Sequence, residues 1–370
     1  LADFAFRLTG GLESDYSEER RQGGGATKGE KNSGDPLRNE DNIAESISAF
    51  LLGTFFVSER YTVTAGTRLG EVEFRSKDLI PPTTLNKDGS GNVRYSQFSP
   101  VFGVTRHMSQ TVNVFANYGR GVETPTLAEV AYASRSSGTP DTVFNPTIRA
   151  SKSDQAEVGL KWRPGRAQSL SATVFWVSTE DEIVTDQNDF GRSSFKNAPK
   201  TKRTGAELSW NREWSAQWRS LVTATMIDAT YESAFSTNAG SVAAGKRIPG
   251  VPAHVAFAEI EWAQARNTRS AVQGWSVGLE AQSVGRRYAN DTNTLSADSF
   301  ETVALRSGYS RTVGATDLRV FARVDNLLNE KYVGSVIVTN PNPANLPTAA
   351  PFEPSPERNW MVGVKAVTRF

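Results

Sequence analysis

The chain has 370 residues, with 41 Lys and Arg against 40 Asp and Glu, and a net charge of +1 excludes the basic surplus of a nucleic-acid binder. It contains no cysteine, which excludes disulfides, thiolate metal sites and a cysteine nucleophile. The opening LADFAFRLTGG has Asp3 and no basic n-region, so it does not read as a signal peptide.

No apolar run reaches the roughly 20 residues of a membrane helix. The longest, SISAFLLGTFFVS at 46–58, is too short. The mean hydropathy of −0.43 is that of a water-soluble protein. A membrane β-barrel reads the same way, because only alternate residues meet lipid.

Period-2 alternation predicts strands over 2–16, 43–57, 60–76, 93–106, 111–121, 153–163, 169–186, 199–211, 217–231, 252–263, 274–286, 299–311, 317–339 and 358–370. In the third, Tyr61, Val63, Ala65, Thr67 and Leu69 alternate with Thr62, Thr64, Gly66 and Arg68. Further along, Ala156, Val158, Leu160 and Trp162 oppose Glu157, Gly159 and Lys161. Thr204, Ala206, Leu208 and Trp210 oppose Arg203, Gly205, Glu207 and Ser209. Ala256, Ala258, Ile260 and Trp262 oppose Val255, Phe257, Glu259 and Glu261. Leu318, Val320, Ala322 and Val324 oppose Arg319, Phe321, Arg323 and Asp325. Every first-named set is uncharged. In the closing strand Trp360, Val362, Val364, Ala366, Thr368 and Phe370 form one smooth face against Asn359, Lys365 and Arg369.

A soluble sandwich also buries one face of each strand. Two features favour a transmembrane barrel. Short connections (58–60, 107–110, 163–168, 212–217, 263–274, 311–316) alternate with long ones near 17–42, 77–92, 122–152, 187–198, 232–251, 286–298 and 340–357. All short turns then lie at one end of the strands, as in outer-membrane barrels. Trp162, Trp210, Trp218, Trp262 and Trp275 also fall at that end, where an indole gains from a membrane–water interface. Fourteen strands is an even number, as antiparallel closure of such a barrel expects.

Several segments, in this order, resemble TonB-dependent outer-membrane receptors. They are NIAESISAFLLGTFFVSERYTVTAGTRLGEVEF (42–74), SQFSPVFGVTRHMSQTVNVFANYGRGVETPTLAEV (96–130), NPTIRASKSDQAEVGLKW (145–162), FARVDNLLNEKYVGSV (321–336) and RNWMVGVKAVTRF (358–370). The resemblance implies an all-β transmembrane antiparallel barrel, the chain's fourteen strands corresponding to strands 9–22 of the family's 22. It implies one domain over 1–370, with plug and TonB box absent from this sequence. A self-contained fourteen-stranded barrel, acting as a passive pore, is the competing arrangement; it requires 1–16 to pair with 358–370.

Active uptake of a scarce ligand, most simply a ferric siderophore, is what the resemblance implies. The implied partners are the TonB complex, the lipid bilayer with lipopolysaccharide, and the barrel assembly machinery; the last would read the terminal aromatic strand through Trp360 and Phe370. Haem and cobalamin are alternatives. Haem needs an axial ligand, and no histidine lies between VETP (122–125) and NPTI (145–148), although Tyr132 could serve. Anionic, partly aromatic chelates suit Arg and aromatic contacts. The expected ligand contacts on the upper lumen and loops are Arg120, Tyr132, Arg135, Phe190, Arg286, Arg287 and Tyr288, while Arg203, Glu207, Arg319 and Arg323 read as a plug-facing lining.

No cofactor and no enzyme activity are expected. GWSVG (274–278) fits a nucleophile pattern but lies in an alternating strand with both histidines upstream. With only His107 and His254, far apart, no transition-metal cluster is expected.

Overall fold

The computed structural model describes residues 5–24, 26–27, 30–31, 38–82, 88–131, 143–189, 192–237, 240–266, 272–339 and 351–368. Fourteen strands form one antiparallel sheet, each paired with its neighbours in chain order. They are β1 (Ala5–Gly23), β2 (Arg38–Ser58), β3 (Tyr61–Asp78), β4 (Gly91–His107), β5 (Val112–Glu123), β6 (Ser151–Trp162) and β7 (Gln168–Asp189). The second half is β8 (Arg192–Glu213), β9 (Trp218–Tyr231), β10 (His254–Arg266), β11 (Val272–Val284), β12 (Phe300–Val313), β13 (Thr316–Asp325) and β14 (Asn359–Thr368). Among the described residues β1 pairs only with β2, and β14 only with β13, so the two ends of the sheet are not joined to each other.

The short connections share a local device. In HMSQTV the Met108 and Ser109 amides both donate to the Val112 carbonyl, and Ser109 Oγ accepts from the Thr111 and Val112 amides. EWSAQW repeats it, with Trp214 and Ser215 donating to the Trp218 carbonyl and Ser215 Oγ accepting from Gln217 and Trp218. A serine that satisfies the backbone donors of a tight turn in this way fixes the register of the strands it joins.

Three expected boundaries are corrected. The loops expected at 17–42 and 187–198 are largely strand: β1 and β2 stay paired to Gly23 and Arg38, and β7 and β8 to Asp189 and Arg192. Ladder hydrogen bonds do not require apolar side chains, and polar pairs such as Gln22–Asn39 continue the hairpin beyond its apolar part. The single strand expected over 317–339 stops at Asp325. Asn326 takes a left-handed φ of 50°, and its side chain accepts from the Glu330 amide and donates to the Glu330 carbonyl, closing a turn.

The two faces of the sheet differ as the alternation requires. Outward-facing Val158, Val174, Leu208, Leu279, Val320 and Val364 are all exposed. The inward face is tied by ion pairs. Arg306 Nη1 and Nη2 lie 2.6 and 2.7 Å from Glu261 and Glu259, and its Nε donates to Glu280 at 2.9 Å. Arg323 bridges Glu280 and Asp325 at 2.8 and 2.7 Å, and Arg219 lies 2.9 Å from Glu261. Glu261 is only 2% exposed, so its charge depends on these two arginines. Gly278 makes the reach possible: a Cβ there would stand 2.8 Å from Arg306 Nε. Phe115 and Phe321 similarly lie over Gly159 and Gly363, filling the space of a missing side chain.

Higher on the strands the pattern inverts. On β3 the outward series runs Thr67, Leu69, Glu71, Glu73, Arg75, while the inward series runs Gly66, Arg68, Gly70, Val72, Phe74. β4 does the same, with outward Phe98, Ser96 and Arg94 against inward Gln97, Tyr95 and Val93. On β9 outward Met226 gives way to Asp228, opposite inward Ile227, Ala229 and Tyr231. Above this level the outward face is wet and carries ion pairs such as Arg75–Glu45 (2.7 Å) and Arg94–Glu73 (3.0 Å). The inward face there becomes apolar because loops cover it.

Candidate functional site

The upper ends of the strands and their connections form the candidate site. One apolar cluster joins Phe74 and Tyr95 of the wall to Val130, Phe144, Ile148 and Ala150 of the β5–β6 connection. That connection contains a single helical turn, α1 (Leu127–Val130), started by a capping box in which Thr126 and Glu129 each bond the other's backbone amide. A second cluster packs Val184, Ala198, Ala229 and Tyr231 against Val242 and Ile248 of the β9–β10 connection.

At β10–β14 the connections are held chiefly by polar groups. Tyr231 Oη donates to buried Asp291 at 2.6 Å. Asn290, also buried, donates to Thr292 and Thr294 hydroxyls and accepts from the Thr294 and Leu295 amides. Asn293 donates to the Arg247 carbonyl and accepts from its amide. Phe300 stacks on Tyr332 with centroids 4.0 Å apart, and the Arg287 guanidinium lies 5.6 Å from the Phe300 ring centroid. Beside this stack is a cleft of about 470 Å³ lined by Asp298, Ser299, Lys331, Tyr332, Phe352 and Glu357. A cleft with both charge signs and aromatic rings can hold a ligand that is partly charged and partly flat.

The expected contact residues divide. Arg286 is largely exposed and pairs with Asp298, a cleft residue, at 3.3 Å. Arg287 donates Nη1 and Nη2 to the Gly334 and Val333 carbonyls (3.1 and 2.6 Å), tying the β11–β12 connection to the β13–β14 connection. Burial lowers its pKa from the ordinary arginine value. Tyr288 is half-buried, and its carbonyl accepts from the Gly250 amide. The expected lumenal placement of Arg120 is corrected. It stands in register with Asp154, on the outward face with Tyr118, and donates to both carboxylate oxygens of Asp154 at 2.9 and 2.8 Å. The reason is parity: Arg120 is two residues beyond exposed Tyr118, so it continues the outward series above the apolar part. Tyr132, Arg135 and Phe190 lie outside the described residues, as does Phe370.

Trp162, Trp210, Trp218, Trp262 and Trp275 all sit on the outward face near the short turns. Trp218 faces Trp262 across β9 and β10, and Trp275 packs at 5.2 Å on Tyr309. Trp214, not among the expected five, joins the row by an edge contact to Trp210 at 5.7 Å and donates its indole N–H to Ser220. Trp360 is 76% exposed on β14. Of the expected lining residues, inward-facing Arg203 pairs with Glu182 at 2.6 Å, next to Asp181, whose φ of 56° is left-handed.

The residues outside the site have structural employment. Ser276 is buried within β11 and donates to the Gly308 carbonyl at 3.5 Å. His107 bridges Thr62 and Asn113 near a short turn, and His254 bonds Ser283. Tyr332 and Lys331 were hidden because 317–339 read as one strand, and Asp298 because it fell at the end of a long connection without periodicity. The signal for the break was Asn326 and Asn329, both in the left-handed region.

Residues 2–327 match the family described as TonB dependent receptor-like, beta-barrel. Among solved structures, the ferric-catecholate import receptor Fiu from E. coli K12 superposes with a TM-score of 0.72 at 17% identity, covering 99% of this chain and 52% of that one. The siderophore receptor PiuA from Acinetobacter baumannii gives 0.72 at 16%, with 99% and 53% covered. The unliganded ferric citrate transporter FecA gives 0.74 at 15%, with 99% and 52% covered. The chain thus spans about half the length of these structures.

Proposed function

Because the chain belongs to the TonB-dependent receptor β-barrel family, we propose that it forms part of the wall and mouth of an outer-membrane receptor that takes up a ferric siderophore. The observation that carries this reading is the match of nearly the whole chain to that family, joined by a fold shared with receptors named for ferric chelates. Among the described residues no helix is long and apolar enough to cross a membrane, and the strands do the crossing on this reading. The apolar outward band, bounded by tryptophans below and by the charge inversion above, meets the lipid, with lipopolysaccharide against the upper charged rim. TonB would act through a plug outside these fourteen strands, and the final strand with Trp360 would present the barrel to its assembly machinery.

In this arrangement the chelate is held at the cleft by Arg286, Lys331 and Tyr332, where cations and a ring meet its charge and its flat surface. Arg287 acts as a strut beneath them. The haem alternative has less support, since His107 and His254 both have hydroxyl or amide partners and neither stands free at the mouth.

Radioactive iron delivered as a tris-catecholate complex to iron-starved cells tests the proposal. Uptake is expected to require both this receptor and TonB. Uptake that persists without TonB would favour a passive pore and overturn it.

A further inference from the structure

We propose that residues 125–131 and 143–150 form a fixed inner rim of the mouth, which sets the width of the entrance and takes no part in opening or closing it. That the rim borders an entrance rests on the uptake reading above; that it is fixed rests on its own packing and hydrogen bonds.

Loops that open and close are drawn from the weakly held parts of a protein, with few apolar contacts and exposed backbone bonds. This segment is the opposite. Val130 is 0% and Ile148 2% exposed, and Pro125 and Phe144 are buried with them. Their cover extends over the inward wall from Ala44 on β2 through Val72, Val93 and Ile183 to Phe195 on β8. A lid that lifted would expose all of these side chains, together with Phe74 and Tyr95, to water. A ligand can shift such an equilibrium only by its differential affinity for the two states.

The wall is shaped to receive the segment. The inversion above Gly70 puts Val72 and Phe74 where the lower strand carries Gly66 and Arg68. Gly91 begins β4 directly beneath Phe144, and a Cβ there would stand 2.5 Å from its ring. A larger residue at 91 would collide with the Phe144 side chain as long as that ring is present.

Polar bonds fix both descending and returning limbs. The Asn145 amide donates to the Val130 carbonyl at 2.7 Å, closing one limb on the other. Tyr95 Oη donates to the Ile148 carbonyl at 2.9 Å. Asn197 of β8 treats Arg149 as a strand partner, accepting from its amide at 2.8 Å and donating to its carbonyl at 2.9 Å. Arg149 pairs with Asp181 at 2.6 Å. The side chains left exposed by this docking are Thr126, Ala128, Pro146 and Thr147, which are small and neutral, and Arg149, which is paired with Asp181. The exposed charge of this rim is therefore already paired, and the charged cleft at β11–β14 supplies the grip on the other side.

These 370 residues contain no cysteine, so a disulfide engineered between two of them has no competing partner among them. Gly91→Cys with Phe144→Cys places two Cβ positions close enough to bridge after an adjustment of about 1 Å. In the full-length receptor in outer membranes, the bond is expected to form nearly completely under mild oxidation. Oxidised and reduced cells should then take up iron tris-catecholate within about twofold of each other. A bond that forms in only a minority of molecules, or a tenfold loss of uptake on oxidation that reductant reverses, would overturn the fixed rim. Should the receptor transport no iron tris-catecholate at all, the uptake reading fails while the bond yield still judges the rim. A second variant avoids disturbing the core: spin labels on Thr147→Cys and Glu71→Cys. One narrow distance, unchanged by the chelate, is expected; a broad or chelate-shifted distribution would refute the proposal.

Discussion

The two sides of the mouth solve one problem in two ways. Loops that turn inward carry backbone groups away from water, and each such group needs a partner. On the β2–β8 side the β5–β6 connection is sealed by apolar burial over a continuous core, with polar bonds along its limbs. On the β10–β14 side the connections are rich in Asn, Asp and Thr, and side-chain amides stand in for backbone partners at Asn290, Asn293 and Asn326. The difference teaches where adaptability resides. A core fixes a loop over a broad area, while a set of polar bonds fixes particular atoms and leaves a cleft between them.

Breaking the apolar side should have the largest effect. Ile148→Ala removes a side chain that is 2% exposed at the centre of the cluster. It is expected to cost about 2–5 kcal/mol of local stability. Hydrogen exchange should accelerate in 125–131 and 143–150 and stay unchanged at 287–297. Acceleration at both would mean that the mouth is one cooperative unit.

On the polar side, Asn290→Ala strips partners from the Thr294 and Leu295 amides. The expected loss is about 1–3 kcal/mol, read as faster exchange confined to 287–297 and weaker chelate binding, with the β5–β6 connection unaffected. Uniform loss across both sides would again erase the contrast.

The smallest effect is expected at Arg120→Ala. Arg120 faces outward and is spent on Asp154, and exposed pairs are worth about 0–1 kcal/mol. Chelate affinity should stay within about twofold of the parent. A tenfold loss would return Arg120 to the binding site.

Much of the wall was legible because a strand carries its own code. Alternation of period two assigned all fourteen strands, and the tryptophan positions marked one end. The inversion at Leu69–Glu71 was equally present in the string GEVEF, and in MIDATY on β9, but reading only the uncharged set to Leu69 stopped short of it. Arg120 was misplaced for the same reason: it was assigned by height, when parity with Tyr118 already fixed its face. Asn326 illustrates the opposite limit. A run of strand-forming residues on either side hid a turn that depends on one left-handed backbone angle.

By itself, then, the sequence determined which residues share a face, where the short turns lie and where each strand leaves the apolar band. These depend on neighbours one to four positions away. The tertiary structure alone decided that Phe144 and Ile148 seal the wall at Phe74 and Tyr95, and that Arg287 ties two loops together while Arg286 pairs with Asp298 beside the cleft. Those contacts join residues from a dozen to some seventy positions apart through segments without periodicity. Only the closing of the chain on itself brings them within reach.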